Sequence, residues 1–260
     1  MLSFTVIGLE KFPLIKAGDN LAEIIVQTAK KNKVSINDGD IFLVSQKIVS
    51  KAEGRLVDLD AVKPSERARE MAAKTGKDAR FVELVLRDSQ KVVKAVPNFL
   101  VVKDRRGWVC LSAGVDKSNV SPMDGVRVSL LPVDPDESAR DILKGIQGLT
   151  GNRVAVIVCD TYSRPFRRGQ VEFAIGVSGV KVFKDYRGEK DLFGYELRVK
   201  NIATVDELAC AAELVMGQGN EAVPVAIVKG LMRAELCGKS ESSVQELRLA
   251  EHEDFFEGTI

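Results

Sequence analysis

The sequence predicts a mixed α/β (α+β) fold, and three observations carry that prediction. Segments rich in Val, Ile and Phe recur as "FTVIGL", "DIFLVSQKIVS", "FLVVKDRRGWVCLSAGV", "RVAVIVCD" and "VPVAIVKGL", with the β-branched and aromatic enrichment of strands. Helix-like segments alternate with them, and several stop at a glycine, the residue that closes helices in the left-handed conformation. The 260 residues are 45% hydrophobic and 29% charged, enough length and apolar surface for a sizeable core. No Ser/Gly-rich or Pro-rich linker divides the chain. Residues 1–245 are therefore read as one working unit with room for two lobes, followed by an acidic tail over 246–260.

Taken in order, the helical segments are "LAEIIVQTAKKN", "SERAREMAAKTG", "DARFVELVLRDSQKVVKAV", "SARDILKGIQGLTG" and "VDELACAAELVMG". The fourth is preceded by the clearest start signal: Asp134 can cap, Pro135 suits the first helical position and Glu137 falls where a capping-box acid belongs. "FLVVK", "DRRG" and "WVCLSAGV" read as strand, turn and strand of a hairpin.

Composition excludes several functions. Lys plus Arg number 38 and Asp plus Glu 37, so no global basic field exists to hold a nucleic-acid backbone. Cys110, Cys159, Cys210 and Cys237 lie far apart with no CxxC pair, which argues against a zinc knuckle and a disulfide framework. The one histidine, His252, falls in "EHEDFFEG", so chemistry needing a histidine base or ligand is disfavoured. No apolar run approaches a membrane span and the first residues lack a signal-peptide pattern. A cytoplasmic protein with no membrane partner is expected.

Two stretches share a grammar of apolar strand, Asp, then small polar residues: "WVCLSAGVDKSNVSP" with Asp116, Ser118 and Asn119, and "RVAVIVCDTYSRPFRRG" with Asp160 and Thr161. Strand ends can aim such oxygens into a cleft, and hard oxygens without His or paired thiolates suit Mg2+ or Mn2+. Capping and turn-making are the competing roles for both aspartates, and spacing alone favours them. Arg164, Arg167 and Arg168 beside Asp160 shift the balance, because guanidinium groups match phosphate oxygens bidentately. A solvated loop would give the same cluster. "FAIGVSGV" and "VMGQGNEAVP" could bring backbone amides near an anion, with Gln218 between Gly217 and Gly219 offering a further oxygen. Lys47 and Lys51 lie four apart after a strand-like run; either phosphate contact or solvation fits Lys51. "CGKS" at Cys237–Ser240 fails as a P-loop, since Arg233 stands where glycine is required.

In order, "KFPLIKAGDNLAE", "SQKIVSKAEGR", "SAGVDKSNV", "LPVDPDESA", "DTYSRPFRRGQVEFAIGVSGV" and "MGQGNEAVP" resemble the coenzyme F420:L-glutamate ligase family, from about Phe12 to about Gly230. The resemblance implies a two-lobed, intertwined fold without a P-loop and a homodimer. It implies activation of the carboxylate of a deazaflavin, coenzyme F420-0, by GTP as cosubstrate, and γ-glutamyl amide formation with L-glutamate. It also implies Mg2+ or Mn2+, with K+ as a further ion. Carried over by position, Asp116, Asp160, Thr161 and Gln218 match metal-site residues. Asn119, Phe12, Pro13, Leu14, Ile15, Gln46, Lys51, Gly217 and Gly219 match nucleotide- or cofactor-binding stretches. Asp116 and Asp160, with Arg164, Arg167 and Arg168, form the expected catalytic set. Two departures bear on preference: Gln46 stands where some members have a small hydroxyl residue, and Glu172 adds an acid beside the glycine run. An amide ligase for another phosphorylated acid, or a non-catalytic GTP- and metal-binding protein, would share these features.

Overall fold

A computed structural model describes residues 3–120, 126–163, 167–231, 242–250 and 253. In chain order the elements are β1 Thr5–Gly8, α1 Leu21–Lys31, β2 Ile41–Ser45, α2 Gln46–Ala52, β3 Leu56–Asp58, α3 Glu66–Thr75, α4 Ala79–Arg87, β4 Ser89–Val96, β5 Phe99–Asp104, β6 Val109–Leu111, β7 Arg127–Ser129, α5 Pro135–Thr150, β8 Ala155–Ser163, β9 Gln170–Ser178, β10 Phe183–Asp185, β11 Asn201–Ala203, α6 Thr204–Met216 and β12 Val225–Lys229. The mixed α/β class is as the sequence predicts. The chain divides into two compact units, one from Met1–Leu14, Asn20–Gln46 and Asp134–Leu247, the other from Ile15–Asp19, Lys47–Val133 and Arg248–Ile260.

The first unit is built on a five-stranded sheet in the order β1-β12-β2-β8-β9. Ile41–Val44, Ala155–Cys159 and Val225–Val228 are buried, and such nearly continuous apolar runs belong to strands covered on both faces. Among the described residues β2 and β8 run parallel; β12 pairs antiparallel with β1 and β2, and β9 with β8. α1 and α5 pack on one another, α5 also on β8 and β9, and α6 on β9, β1 and β12. α5 starts as expected: the Asp134 side chain accepts from the Glu137 N–H at 3.0 Å, Pro135 occupies the first turn, and Gly151 closes the helix at φ 73°.

β9 is an edge strand, and an acid from each flanking helix covers its outward amides. Asp206 of α6 accepts from Ala174 N at 3.0 Å, and Asp136 of α5 accepts from Val177 N at 2.8 Å. Asp136, only 8% exposed, also accepts from Ser243 Oγ and Val244 N. Such cover removes an unpaired strand edge as a template for aggregation. Beyond the β10–β11 pair the chain continues as a hydrogen-bonded arm, with Gly188 N donating to Leu197 O and Asp191 N to Tyr195 O. Leu192 and Phe193 at its tip are 97% and 95% exposed.

The second unit packs α3 and α4 against the sheet β4-β5-β6. Its core comprises Phe81, Val82, Val85, Leu100, Val102, Ala113, Val128 and their neighbours. The expected hairpin is present, with Val102 opposite Cys110. Arg106 is clamped between Asp104, which is fully buried, and Asp88, at 2.8 and 2.9 Å.

Three segment expectations are corrected. "DARFVELVLRDSQKVVKAV" is not one helix: α4 ends at Arg87, and Ser89–Val96 form β4 against β5. The Val-rich half finds its ladder partner in the hairpin, and tertiary pairing outweighs helical continuity. "DIFLVSQKIVS" is not one strand: it breaks at Ser45 into α2, whose Ile48 and Val49 are buried as part of a helix. "FAIGVSGV" is not a loop: most of it lies in β9, where its amides meet the chain's own Asp206 and Asp136 carboxylates and a Cβ on Gly176 would fall 2.2 Å from the Pro135 carbonyl oxygen. Gly176 is a packing residue that lets α5 approach the sheet.

Asp78 caps α4 through Arg80 N at 2.8 Å and pairs with the Arg80 guanidinium at 2.7 Å. The hydrogen bonds from Arg80, opposed by some desolvation, push its carboxyl down to about 2. A carboxyl depressed in the folded state stabilises the fold above its unfolded value, and that contribution is lost as pH falls through the folded value. For Asp78 the window runs from about 3.9 down to about 2. Acid unfolding curves of Asp78→Asn are expected to be flatter than wild type through this window, and superimposable curves would remove Asp78 from the acid response.

Candidate active site

Antiparallel pairing of β8 with β9 places Thr161 opposite Glu172 and Asp160 opposite Phe173. Side chains alternate along a strand, so Cys159, Thr161 and Glu172 share one face of the sheet while Asp160, Tyr162 and Phe173 share the other. The Tyr162 and Phe173 rings meet edge to face at 5.4 Å, on the face of Asp160. β8 does not end at Asp160, as its polar sequence suggests, but runs on to Ser163 against β9. Asp160 and Thr161 are held within a paired strand.

On the first face, Thr161 Oγ1 lies 3.1 Å from Glu172 Oε2 and 2.9 Å from Gln218 Oε1, and Gln218 Nε2 donates to Glu172 Oε2 at 3.1 Å. Thr161 and Gln218, 57 positions apart, are thus brought together. Gln218 follows directly on α6, whose Cys210 Sγ touches the Glu172 carbonyl at 3.2 Å. Burial raises the Glu172 carboxyl above the usual range, with Glu213 adding repulsion, although hydrogen bonds from Cys159, Thr161 and Gln218 pull the other way. The Cys159 thiol, fully buried beside that acid, is raised well above its ordinary value. It is therefore held as a neutral thiol and not as a nucleophile.

Asp116 belongs to the second unit. Lys47 Nζ donates to it at 2.6 Å and to Ser129 Oγ at 2.9 Å, while Ser118 N donates to its Oδ1 at 2.9 Å. Burial opposes ionisation here, but Lys47 and the Ser118 bonds outweigh it and hold the carboxyl below its ordinary value. The turn entering Asp116 is unusual: Ser112, Ala113 and Gly114 follow one another at φ 51°, 53° and 70°. Leu131 packs so closely on Gly114 that an added Cβ would fall 2.5 Å away. Asp116 also exchanges both backbone hydrogen bonds with Ser129. Lys51, one helical turn after Lys47, has its ammonium value lowered by desolvation and then by Lys47.

The other expected positions fall as follows. Asn119 is exposed in a left-handed conformation at φ 51°, which asparagine tolerates. Phe12 is half-buried, Pro13 and Leu14 are exposed, and Ile15 is buried. Gln46 is buried at the first residue of α2. In the Gly217–Gly219 loop an amide does meet an anion, the chain's own Glu221 carboxylate, at 2.8 Å from Gly219 N. Arg167 and Arg168 are exposed; Arg164, His252 and the "CGKS" residues lie outside the described residues. Arg167→Ala and Arg168→Ala are expected to weaken ligand binding more than thermal stability. A surface pair is worth about 0–1 kcal/mol, but a hydrogen bond to a charged group roughly 1.5–3 kcal/mol. Steady-state kinetics at subsaturating ligand check this, and unchanged values would return both arginines to a solvated face.

Among the described residues no group of three or more His, Cys, Asp and Glu is placed to hold a metal ion. Thr161 and Gln218 offer a hydroxyl and an amide oxygen in this site. That donor chemistry fits a hard divalent ion and not zinc. What Glu172 contributes is invisible in the linear sequence, because its contacts arise from cross-strand register.

Fold and site together define an α/β protein of two units, each presenting carboxylate and hydroxyl oxygens of hard-cation type. A family model described as F420-0:Gamma-glutamyl ligase matches residues 10–230, and the chain belongs to that family. The coenzyme F420:L-glutamate ligase of Methanothermobacter thermautotrophicus is 42% identical over 257 residues, 99% of this chain and 100% of the relative. That of Archaeoglobus fulgidus is 46% identical over 249 residues, 96% of this chain and 94% of the relative. That of Methanocaldococcus jannaschii is 45% identical over 227 residues, 86% and 87% of the two chains.

Proposed function

We propose that this protein is a ligase that joins L-glutamate to coenzyme F420-0 through γ-glutamyl amide bonds, using GTP and passing through an acyl phosphate. The observation that carries the reading is identity of 42% along the whole length of a relative so named. In the proposed reaction a carboxylate oxygen of the acceptor attacks the terminal phosphorus of GTP and GDP leaves. The glutamate amine then attacks the acyl carbon, phosphate leaves with the bridging oxygen, and the amine gives up a proton. Phosphorylation supplies the leaving group that a free carboxylate lacks.

Asp116, Asp160, Thr161 and Gln218 are the residues proposed to hold Mg2+ or Mn2+, Asp160 at a different position from Thr161 and Gln218 because its side chain lies on the other face of the sheet, with K+ as an accompanying ion. Such a cation, when bound, offsets charge on the transferring phosphoryl group. The paired strands fix Asp160 and Thr161, so their oxygens need little reorganisation. Lys51, Asn119, Gln46, residues 12–15 and the Gly217–Gly219 loop are proposed to bind nucleotide or acceptor, and the arginines to bind phosphate oxygens. Tyr162 and Phe173 put aromatic surface beside Asp160, suited to a planar ring.

A cytoplasmic homodimer is part of the proposal. No helix among the described residues is long and apolar enough to cross a membrane. The apolar tip of the 185–201 arm offers a second copy a surface, and sedimentation of Phe193→Ser against wild type tests it. Mass spectrometry after incubation with F420-0, GTP, glutamate and Mn2+ tests the activity: the acceptor should grow by glutamyl units, and unchanged mass would leave a binding protein. Oxygen-18 in the acceptor carboxylate should pass into released phosphate. Its absence there during verified ligation would exclude the acyl phosphate.

A further inference from the structure

With Glu172 ionised, the Thr161–Glu172–Gln218 triangle has too few hydrogens for its oxygens. Thr161 Oγ1 lies within hydrogen-bond distance of two acceptor oxygens, Gln218 Oε1 at 2.9 Å and Glu172 Oε2 at 3.1 Å, but a hydroxyl carries one proton. Whichever oxygen receives it, the other faces a lone pair. Turning the amide over moves the deficit without removing it. Nε2 would then serve Thr161, and Oε1 would face the Glu172 carboxylate across the 3.1 Å contact. In either orientation one oxygen–oxygen contact of about 3 Å has no hydrogen as long as the carboxylate is ionised. Glu172 is only 4% exposed, and no salt bridge to it occurs among the described residues. Buried charge left uncompensated is costly.

A cation removes both difficulties, since it binds the converging lone pairs and neutralises the carboxylate. We propose that Glu172 is a ligand of a hard divalent cation, together with Thr161 Oγ1 and Gln218 Oε1. The inference rests on the cation reading of Thr161 and Gln218 given above and adds to it the charged ligand that a hydroxyl and an amide cannot provide. Affinity for hard cations rises with the number of charged ligands, so Glu172 decides whether this position is filled at low metal concentration. Asp160, on the other face of the sheet, is not part of this ligand set.

The test is Mn2+ binding to the chelator-stripped full-length protein, read by electron paramagnetic resonance of free Mn2+ and by calorimetry, with circular dichroism confirming the fold. Glu172→Gln keeps shape and hydrogen bonding but removes charge, and it is expected to lower the affinity at least about tenfold, since even groups outside the ligand shell change metal affinity by about 10–100-fold. Glu172→Asp, which shifts the charge by one methylene, is expected to fall between. Wild-type affinity in folded Glu172→Gln, with loss in Gln218→Leu, overturns the inference and leaves the cation reading standing. If wild type binds no Mn2+, both fall. Should Glu172→Gln fail to fold, equal affinity in Glu172→Asp and wild type overturns the inference.

Discussion

Glutamyl transfer by Asp160→Asn is expected to fall by at least about two powers of ten while its thermal unfolding stays close to that of wild type. The side chain belongs to the middle of a paired strand, half-exposed, and asparagine preserves its size and one acceptor oxygen. What is removed is negative charge. If that charge holds a divalent ion worth several kcal/mol at the transferring phosphoryl group, a loss of about 3 kcal/mol corresponds to roughly a hundredfold in rate. Asp116→Asn should lose turnover comparably but unfold more easily, because Lys47, with its side chain 13% exposed, loses its partner's charge. Rates at limiting Mn2+ with parallel melting curves separate the cases. Wild-type rates in both folded variants would remove these aspartates from metal binding.

The largest expected effect on stability belongs to Asp136→Ala. One buried carboxylate receives Val177 N from the edge strand and, from far later in the chain, Ser243 Oγ and Val244 N. Alanine leaves the two buried amides without that acceptor, each at about 1–3 kcal/mol, and frees the half-buried Ser243 hydroxyl as well. A total of about 3–5 kcal/mol is expected, or roughly 10 °C in melting temperature for a protein of this size. Asp136→Asn, which can still accept, should recover part of it. Calorimetry reads both, and a shift below about 2 °C in Asp136→Ala would show that water replaces the carboxylate.

Features governed by local chemistry were the legible ones. Asp134, Pro135 and Gly151 bracket α5 because capping depends on neighbours within one turn, and the central strands announce themselves because burial on both faces demands unbroken apolar runs. β4 and α2 depart from the sequence expectation because Val and Ile serve a helix face or a strand equally well, and the choice lies with partners far along the chain. β9 was hidden by "GQVEF", whose polar residues face the polar end of β8. In the site, Thr161 and Gln218 could be named only together with the ordered blocks around them. Neither the triangle they form with Glu172 nor the Lys47–Asp116 pair follows from spacing, because both need register between elements remote in sequence.

The run of Ser112, Ala113 and Gly114 in left-handed geometry has a consequence for the order in which the molecule assembles. Each L-residue held there costs about 1–2 kcal/mol, so the turn has no reason to form early in an isolated chain. It becomes favourable once Leu131 closes over Gly114 and Ala113 is buried in the core that also holds Val82, Val85 and Leu100, packing that requires loop closure across many residues. Asp116 is therefore delivered to Lys47 late, by tertiary closure and not by local propensity. Under mild denaturant, the Lys47–Asp116 pair should come apart while α3 and α4 still give helical signal, so that this unit loses its chemistry before it loses its secondary structure.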